Sequence, residues 1–252
     1  MISYLGSAGF WTFVVISSII FLPIAILLKI TTFTFDRRLI ILHRFTSYWA
    51  SLYTWLNPVW RVTIAGRDKI KKNVAYVMVC NHQSLVDILV LFRLFAHFKW
   101  VSKAENFKVP IVGWNMKMNR YIKLARGSLR SNIRMIKDAI ATLNEGSSII
   151  IFPEGTRSDS DQLRRFKPGA FELALKAKCP ILPIVLDGSS DALPKAGIRL
   201  RGSHSIKVQV LDEIAYEMFS NLTAKELMEQ VHKLIDVELK SLQTKGRKQV
   251  DP

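Results

Sequence analysis

The 252-residue sequence predicts an α/β protein in which helices cover a mixed sheet, preceded by a two-helix hydrophobic module. Two observations support this fold class. The chain opens with a long uncharged stretch, and from about residue 59 short β-rich runs alternate with helical patterns. We therefore expect a membrane-associating module at 1–58, an α/β domain at 59–244 and a basic tail at 245–252. Because 49% of the residues are hydrophobic, intrinsic disorder is excluded.

The first hydrophobic stretch contains no charged residue from 1 to 28, which exceeds the roughly 20 residues needed to cross a bilayer. A signal peptide fits poorly because no basic residue precedes the run. Pro23 predicts a kink or an early helix end. Arg37, Arg38 and Arg44 follow the stretch, so the positive-inside rule places the rest of the chain on the cytoplasmic side, in a bacterium at the inner membrane.

A second apolar stretch, from Phe45 to Trp60, carries Trp49, Leu52 and Leu56 at helical spacing after Phe45. Its aromatic residues are of the kind that favour a membrane–water interface. The sequence leaves two interpretations open. The stretch either dips into the bilayer beside the first helix, or forms a core helix packed on the following domain.

The strands of the α/β domain are predicted from β-rich apolar runs, at 61–65, 75–80, 148–152, 181–186 and 205–210. Its helices are predicted mainly from helical spacing of apolar residues, at 87–94, 128–144, 169–178 and 223–242. Gly146 follows the second of these helices as a natural C-cap. Thr223 and Glu226 form a capping box that begins the last helix.

A net charge of +16, from 36 basic and 20 acidic side chains, predicts an anionic partner. Eleven basic residues but only one acid, Glu105, lie between Arg93 and Lys137. The uncharged start argues against nucleic acid, so a phospholipid bilayer is the expected partner. Two cysteines are too few for a disulfide scaffold or a Cys-only zinc site, and no metal-ligand spacing occurs, so no metal is expected.

Two polar clusters each follow a predicted strand, where α/β sheets usually place ligand sites. The first runs from Asn81 to Asp87. If a turn brings His82 and Asp87 together, the carboxylate fixes the imidazole tautomer and leaves the other ring nitrogen as a general base. The alternative is a structural histidine, with the carboxylate at a helix N-terminus.

The second cluster runs from Phe152 to Ser158. Gly155 permits a tight turn with exposed backbone N–H groups, and Arg157 presents a planar fork suited to phosphate. Glu154 is expected to orient that arginine or to bind a polyol hydroxyl. The alternative is a polar surface turn.

Together the clusters resemble the 1-acylglycerol-3-phosphate acyltransferases, or glycerolipid acyltransferases. That family carries N-H-x4-D, here Asn81–Asp87, and F-P-E-G-T-R-S, here Phe152–Ser158. The resemblance covers about residues 59–210 and includes two further blocks, at 103–126 and 179–184. One departure is Ala125, where the family often has an acidic residue before the arginine of the middle block.

The resemblance implies acyl transfer from acyl-CoA or acyl carrier protein to the sn-2 hydroxyl of lysophosphatidic acid, giving phosphatidic acid. His82 would take the hydroxyl proton and Asp87 would hold it, with no acyl-enzyme and no cofactor beyond the thioester. The residues implied in substrate binding are Lys103, Arg126, Glu154, Gly155, Thr156 and Arg157. The alternatives are acylation of another lysolipid, hydrolysis of a lysophospholipid or thioester, and a non-enzymatic membrane-surface protein.

Overall fold

The computed structural model describes residues 4–125, 127–158, 162–190, 192–193, 199–200 and 202–247. Two helices open the chain, α1 (Tyr4–Thr32) and α2 (Ile40–Trp55). The first continues through Pro23 without ending, in contrast to one of the two expected effects of that proline. Among the described helices, α1 alone is long and apolar enough to cross a membrane.

A seven-stranded sheet forms the centre of the molecule, in the order β1-β7-β6-β2-β5-β3-β4. Its strands are β1 (Trp60–Ala65), β2 (Val77–Cys80), β3 (Phe98–Lys103), β4 (Ile122–Leu124), β5 (Ser148–Ile151), β6 (Ile181–Asp187) and β7 (His204–Val210). Strands β2 to β6 run parallel, whereas β1 and β7 are parallel to each other and antiparallel to the rest. The expected mixed sheet is confirmed.

Strand direction determines which loops meet. The carboxyl ends of β2, β3, β5 and β6 lie at one edge of the sheet, called here the carboxyl edge. Because β1 and β7 run the other way, their first residues lie at this same edge. Both polar clusters of the sequence follow strands that end there, so the fold brings them together.

The remaining helices cover both faces of the sheet. They are α3 (Val86–Phe92), α4 (Val112–Met118), α5 (Leu129–Asn144), α6 (Gly169–Ala177) and α7 (Ala224–Arg247), with short 3-10 turns at Arg67–Lys69, Ala104–Lys108 and Tyr216–Met218. Helices α1 to α4 pack on one face, and α5 to α7 on the other. Alternate residues of each buried strand face the two cores, as in Met78 and Val79 of β2.

Helix α2 packs on the α/β domain through one of its faces. Trp49, Ala50 and Tyr53 are buried, and so are several of its polar side chains, including Ser47 and Thr54. Packing on the following domain, one of the two interpretations, is therefore what the structure shows. Tyr48, Trp55 and Leu56 stay exposed, so contact of this stretch with a bilayer remains a prediction. Apolar spacing alone cannot distinguish the two, because both bury one helix face.

The link between α1 and α2 also docks on the α/β domain. Asp36 is buried and accepts hydrogen bonds from the N–H groups of Ile40 and Ile41. These two N–H groups, at the start of α2, have no partner within the helix itself. Arg38 donates to the carbonyl of Gly146 at 2.9 Å, and Lys99 donates to the carbonyl of Arg38 at 2.8 Å. The N-terminal helices and the domain therefore share an extensive contact.

Every strand and helix predicted for the α/β domain is present, with ends shifted by a few residues. The capping box is confirmed, since the N–H of Thr223 donates to Glu226 and the N–H of Glu226 donates back to the threonine hydroxyl. Three elements were not predicted: β3, α4 and β4. Helix α7 continues to Arg247 and so includes the first three residues of the expected tail, whose remainder lies outside the described residues.

Candidate active site

His82 and Asp87 meet at the carboxyl edge. The histidine is in the turn after β2, the aspartate is in the first turn of α3, and His82 Nδ1 lies 2.8 Å from Asp87 Oδ2. A carboxylate only accepts hydrogen bonds, so Nδ1 carries the proton and donates it. Nε2 is then the basic nitrogen. It has no hydrogen-bond partner among the described residues and is not enclosed, since 13% of the side chain remains exposed.

The Asp87 carboxylate is fully buried and held by four donors. Besides the histidine, Oδ2 accepts from the backbone N–H groups of Gln83, at 2.7 Å, and Ser84, at 2.9 Å. Oδ1 accepts from the hydroxyl of Ser189, which follows β6. A buried charge is stable only when it is paired and hydrogen-bonded, and this network meets that requirement.

The second cluster fixes the backbone of the first. The N–H of His82 donates to Glu154 Oε1 at 2.7 Å, and the carbonyl of His82 accepts from the N–H of Ser158 at 2.8 Å. The ring of Phe152 stacks on the imidazole at 3.9 Å, with an angle of 8° between the planes. The histidine is therefore restrained at its backbone, at one ring nitrogen and on one ring face.

Glu154 serves a different purpose from the one expected. Its other oxygen accepts from the backbone N–H of Arg164 at 3.2 Å, so both oxygens bind amide groups of the chain. No described contact joins it to Arg157. The carboxyl group is buried, and burial raises its pKa from the ordinary 4.5 to about 7. The structure supports a clamp on the His82 backbone rather than an orienting partner for the arginine.

The turn after Glu154 carries the expected phosphate-binding residues. Gly155 has a φ of 71°, a conformation that side-chain-bearing residues rarely adopt. Thr156 and Arg157 are half-buried beside it. The guanidinium of Arg157 has no hydrogen-bond or ion-pair partner among the described residues. It lies next in sequence to Ser158, which bonds the backbone of His82.

The middle block contributes Lys103, the last residue of β3 at the carboxyl edge. Its amino group is exposed and lies 3.6 Å from Glu105. An exposed pair of this kind contributes little to stability and leaves the lysine available. Arg126, the other predicted cation of the block, lies outside the described residues.

Sequence reasoning missed three members of the site. Ser189 binds Asp87, Phe152 stacks on His82, and Lys167 lies against Gly155, its Nζ 3.1 Å from where a glycine Cβ would be. Phe152 belongs to a motif segment whose chemistry was assigned to its neighbours. No local signal marks Ser189, because its partner is more than a hundred residues away in the sequence.

The model of a protein family described as "Acyltransferase" matches residues 61–187. A relative from Chlamydomonas reinhardtii, named a 1-acyl-sn-glycerol-3-phosphate acyltransferase, is 39% identical over 155 residues, which is 60% of this chain and 46% of the relative. A Saccharomyces cerevisiae relative with that name is 34% identical over 197 residues, 73% of this chain and 61% of the relative. The chain spans about half the length of several curated relatives that it matches.

A solved structure shares the fold. The 1-acyl-sn-glycerophosphate (LPA) acyltransferase PlsC from Thermotoga maritima superposes with a TM-score of 0.78 and 22% identity, over 94% of each chain. The similarity therefore includes the N-terminal helices as well as the sheet.

Proposed function

Because the chain belongs to the acyltransferase family, we propose that it transfers a fatty acyl group from an acyl thioester, acyl-CoA or acyl carrier protein, to the sn-2 hydroxyl of 1-acylglycerol-3-phosphate. The product is phosphatidic acid, as in phospholipid biosynthesis. One observation carries the proposal: the His82–Asp87 pair leaves an accessible basic nitrogen beside a turn that presents an unpartnered Arg157 among the described residues. The names of the relatives support the acceptor.

In the proposed reaction, His82 is the general base. Nε2 takes the proton of the acceptor hydroxyl as that oxygen attacks the thioester carbonyl. Asp87 stabilises the imidazolium that forms and keeps the ring oriented. When the tetrahedral intermediate collapses, the C–S bond breaks and the imidazolium returns the proton to the leaving thiolate. The acceptor hydroxyl is the nucleophile, so neither an acyl-enzyme nor a cofactor is needed.

The acceptor phosphate requires cations near this histidine. Arg157 offers a forked guanidinium, and Lys167 and Lys103 add single charges at the same edge of the sheet. Arg126 is included on the resemblance alone. Gly155 and Thr156 would line the pocket, and Glu154 would act through the His82 backbone that it binds. This arrangement favours a phosphorylated acceptor over a neutral one.

The apolar surface of α1 supports a bilayer as the source of the lipid acceptor. Most of its large apolar side chains are exposed, including Ile16, Ile20 and Leu27. By the positive-inside rule, the basic link after α1 keeps the α/β domain on the cytoplasmic side of a bacterial inner membrane. The fatty substrate and product would then stay at the surface on which the enzyme is held.

The test is product formation by the full chain reconstituted in lipid vesicles. Labelled acyl-CoA and, in parallel, labelled acyl carrier protein are offered with lysophosphatidic acid, and the lipid products are separated. We expect labelled phosphatidic acid with at least one donor, and none from His82→Ala. Free fatty acid as the main product would instead establish a hydrolase, and a product made only from a different lysolipid would refute the proposed acceptor.

A further inference from the structure

A second exposed apolar surface lies outside the N-terminal helices. It is the segment 109–114, called here the hydrophobic tip, which joins the 3-10 turn Ala104–Lys108 to α4. Val109, Val112 and Trp114 are each about half exposed, at 46%, 54% and 51%. Neighbouring exposed side chains of this size are unusual on a surface that meets only water.

The local backbone holds these side chains outward. Phe107 is buried directly before the tip, and a Cβ on Gly113 would lie only 2.4 Å from the Phe107 carbonyl oxygen, so no larger residue fits. Ile111 has a φ of 63°, which is strained for a β-branched residue and persists only where the surroundings enforce it. The exposure of the tip is therefore a product of the fold.

The tip and α1 belong to the same side of the molecule. Helix α4 packs on the same sheet face as α1, and Met118 at its end contacts the cluster of Ala25, Leu39 and Leu42. The tip also follows β3 at the carboxyl edge, where His82 lies. The tip is therefore the start of a helix that contacts α1, and it follows a strand that ends at the edge of the active site.

The charges around the tip complement an anionic surface. Four exposed lysines surround it in sequence, namely Lys103, Lys108, Lys117 and Lys123. The single acid in this stretch, Glu105, pairs with the first of them. Tryptophan beside lysine is the combination that favours the interface of a bilayer, where the ring lies at the headgroups and the ammonium groups meet lipid phosphates.

We propose that the α/β domain makes its own contact with an anionic phospholipid bilayer, by inserting the hydrophobic tip into the interface beside α1. This second contact fixes the rotation of the whole molecule about the long axis of α1 relative to the bilayer, and it holds the carboxyl edge against the lipid surface. The inference goes beyond the proposed reaction, because it requires only that the chain is bound to a bilayer. The packing of α4 beside the apolar helix α1 favours lipid over an acidic protein as the occupant.

The experiment places a polarity-sensitive fluorophore on the tip of the full chain in vesicles. Trp114→Cys is labelled in a Cys179→Ala background, since Cys80 is fully buried. The matched control is Val237→Cys, a 59% exposed position on α7, on the opposite face of the sheet. With vesicles of phosphatidylglycerol and phosphatidylcholine containing brominated acyl chains, we expect a blue shift and bromine quenching at 114, and neither at 237.

The lysines are tested in the same labelled protein. Lys108→Gln with Lys117→Gln should lower the ratio of inserted to free tip by about tenfold at a fixed anionic fraction, since each basic residue near the surface contributes to the attraction. Lys225→Gln with Lys233→Gln removes the same charge from α7 and should change nothing. These variants leave the proposed catalytic and phosphate-binding residues intact.

Two outcomes with vesicles alone would overturn the inference. One is a label at 114 that remains unquenched, as at 237, in chains that float with the vesicles. The other is bromine quenching at position 114 that stays the same when the anionic lipid is omitted and when Lys108 and Lys117 are both replaced by glutamine. A label that stays in water on vesicles but shifts when acyl carrier protein is added would assign the tip to a protein partner instead. None of these readouts requires turnover, so their failure is separate from a failure of the proposed reaction.

Discussion

The two halves of the candidate site differ in how completely they are formed before any ligand binds. On the His82 side, the imidazole and Asp87 are held by hydrogen bonds from the backbone and from Ser189. On the Arg157 side, the guanidinium is half-buried and has no partner among the described residues. One half is a satisfied polar network, and the other is a cation to which no other described residue is bonded.

This difference indicates whether each half contributes to the free energy of substrate binding or to stabilisation of the transition state. A preorganised base acts where charge develops in the transition state and should affect kcat. A cation that binds the acceptor phosphate, as proposed for Arg157, contacts substrate and transition state alike and should affect KM. The following predictions test that division, from the largest expected effect to the smallest.

Asp87→Asn should lower kcat by about 10³-fold with little change in KM, because a neutral amide cannot stabilise the imidazolium. The substitution fits the site, since the amide oxygen can face the Gln83 and Ser84 N–H groups while its NH₂ faces the Ser189 hydroxyl. Steady-state kinetics in vesicles measures it. Asp68→Asn, at an exposed aspartate, is the control, and an equal loss in both variants would contradict the assignment.

Glu154 should make folding stability depend on pH. Its pKa is about 7 when folded against an ordinary 4.5, because burial disfavours the charged form. Between these values the folded state binds more protons than the unfolded state, so this contribution is complete below pH 4.5 and is lost as the pH rises through 7. Its size is on the order of 3 kcal/mol.

The measurement compares the free energy of unfolding of wild type and Glu154→Gln from pH 4.5 to 8. Glutamine does not titrate, so wild type should lose stability relative to the variant as the pH rises. The variant starts from a lower value, since its NH₂ group meets the Arg164 N–H. Glu229→Gln on the surface of α7 is the control. A wild-type minus variant difference that is constant with pH would refute the raised pKa.

The sequence predicted the parts of this molecule that follow from local patterns. The strands and helices around both motifs, the capping box at Thr223 and the meeting of His82 with Asp87 all depend on short-range spacing or on strand ends. Strand β3 was missed because Lys99 interrupts its apolar run. That lysine is buried all the same, where it donates to the carbonyl of Arg38.

Long-range contacts were the part that local patterns could not supply. The two apolar stretches look alike in sequence, yet α1 exposes its large side chains while α2 buries serines and threonines against the domain. The contact of Glu154 with the His82 backbone was not predicted for the same reason, since it depends on an N–H group 72 residues away. Sequence spacing therefore identifies which residues belong to a site, but it does not identify which of them bond to each other.

Arg157→Ala should raise KM for lysophosphatidic acid by about 30- to 100-fold while kcat falls much less, because the lost contact is a charge-assisted bond to phosphate. Arg165→Ala, an exposed arginine eight residues away, is the control. A neutral monoacylglycerol sharpens the test, since its use should be unaffected by the change. A fall in kcat with unchanged KM would place Arg157 with the chemistry and would remove the division between the two halves.

Ser189→Ala should have the smallest effect, a fall in kcat of about tenfold at constant KM. Three donors still hold Asp87 Oδ2, but Oδ1 becomes a buried acceptor without its hydroxyl partner. Ser148→Ala is a matched control, because Ser148 is also buried but accepts from the Tyr76 N–H at the opposite edge of the sheet. Both variants should lose stability, and only Ser189→Ala should lose kcat. If Ser189→Ala and Ser148→Ala lose activity equally, the Ser189 hydroxyl contributes to folding alone. The preorganised part of the site then consists of His82, Asp87 and the backbone groups that bind them.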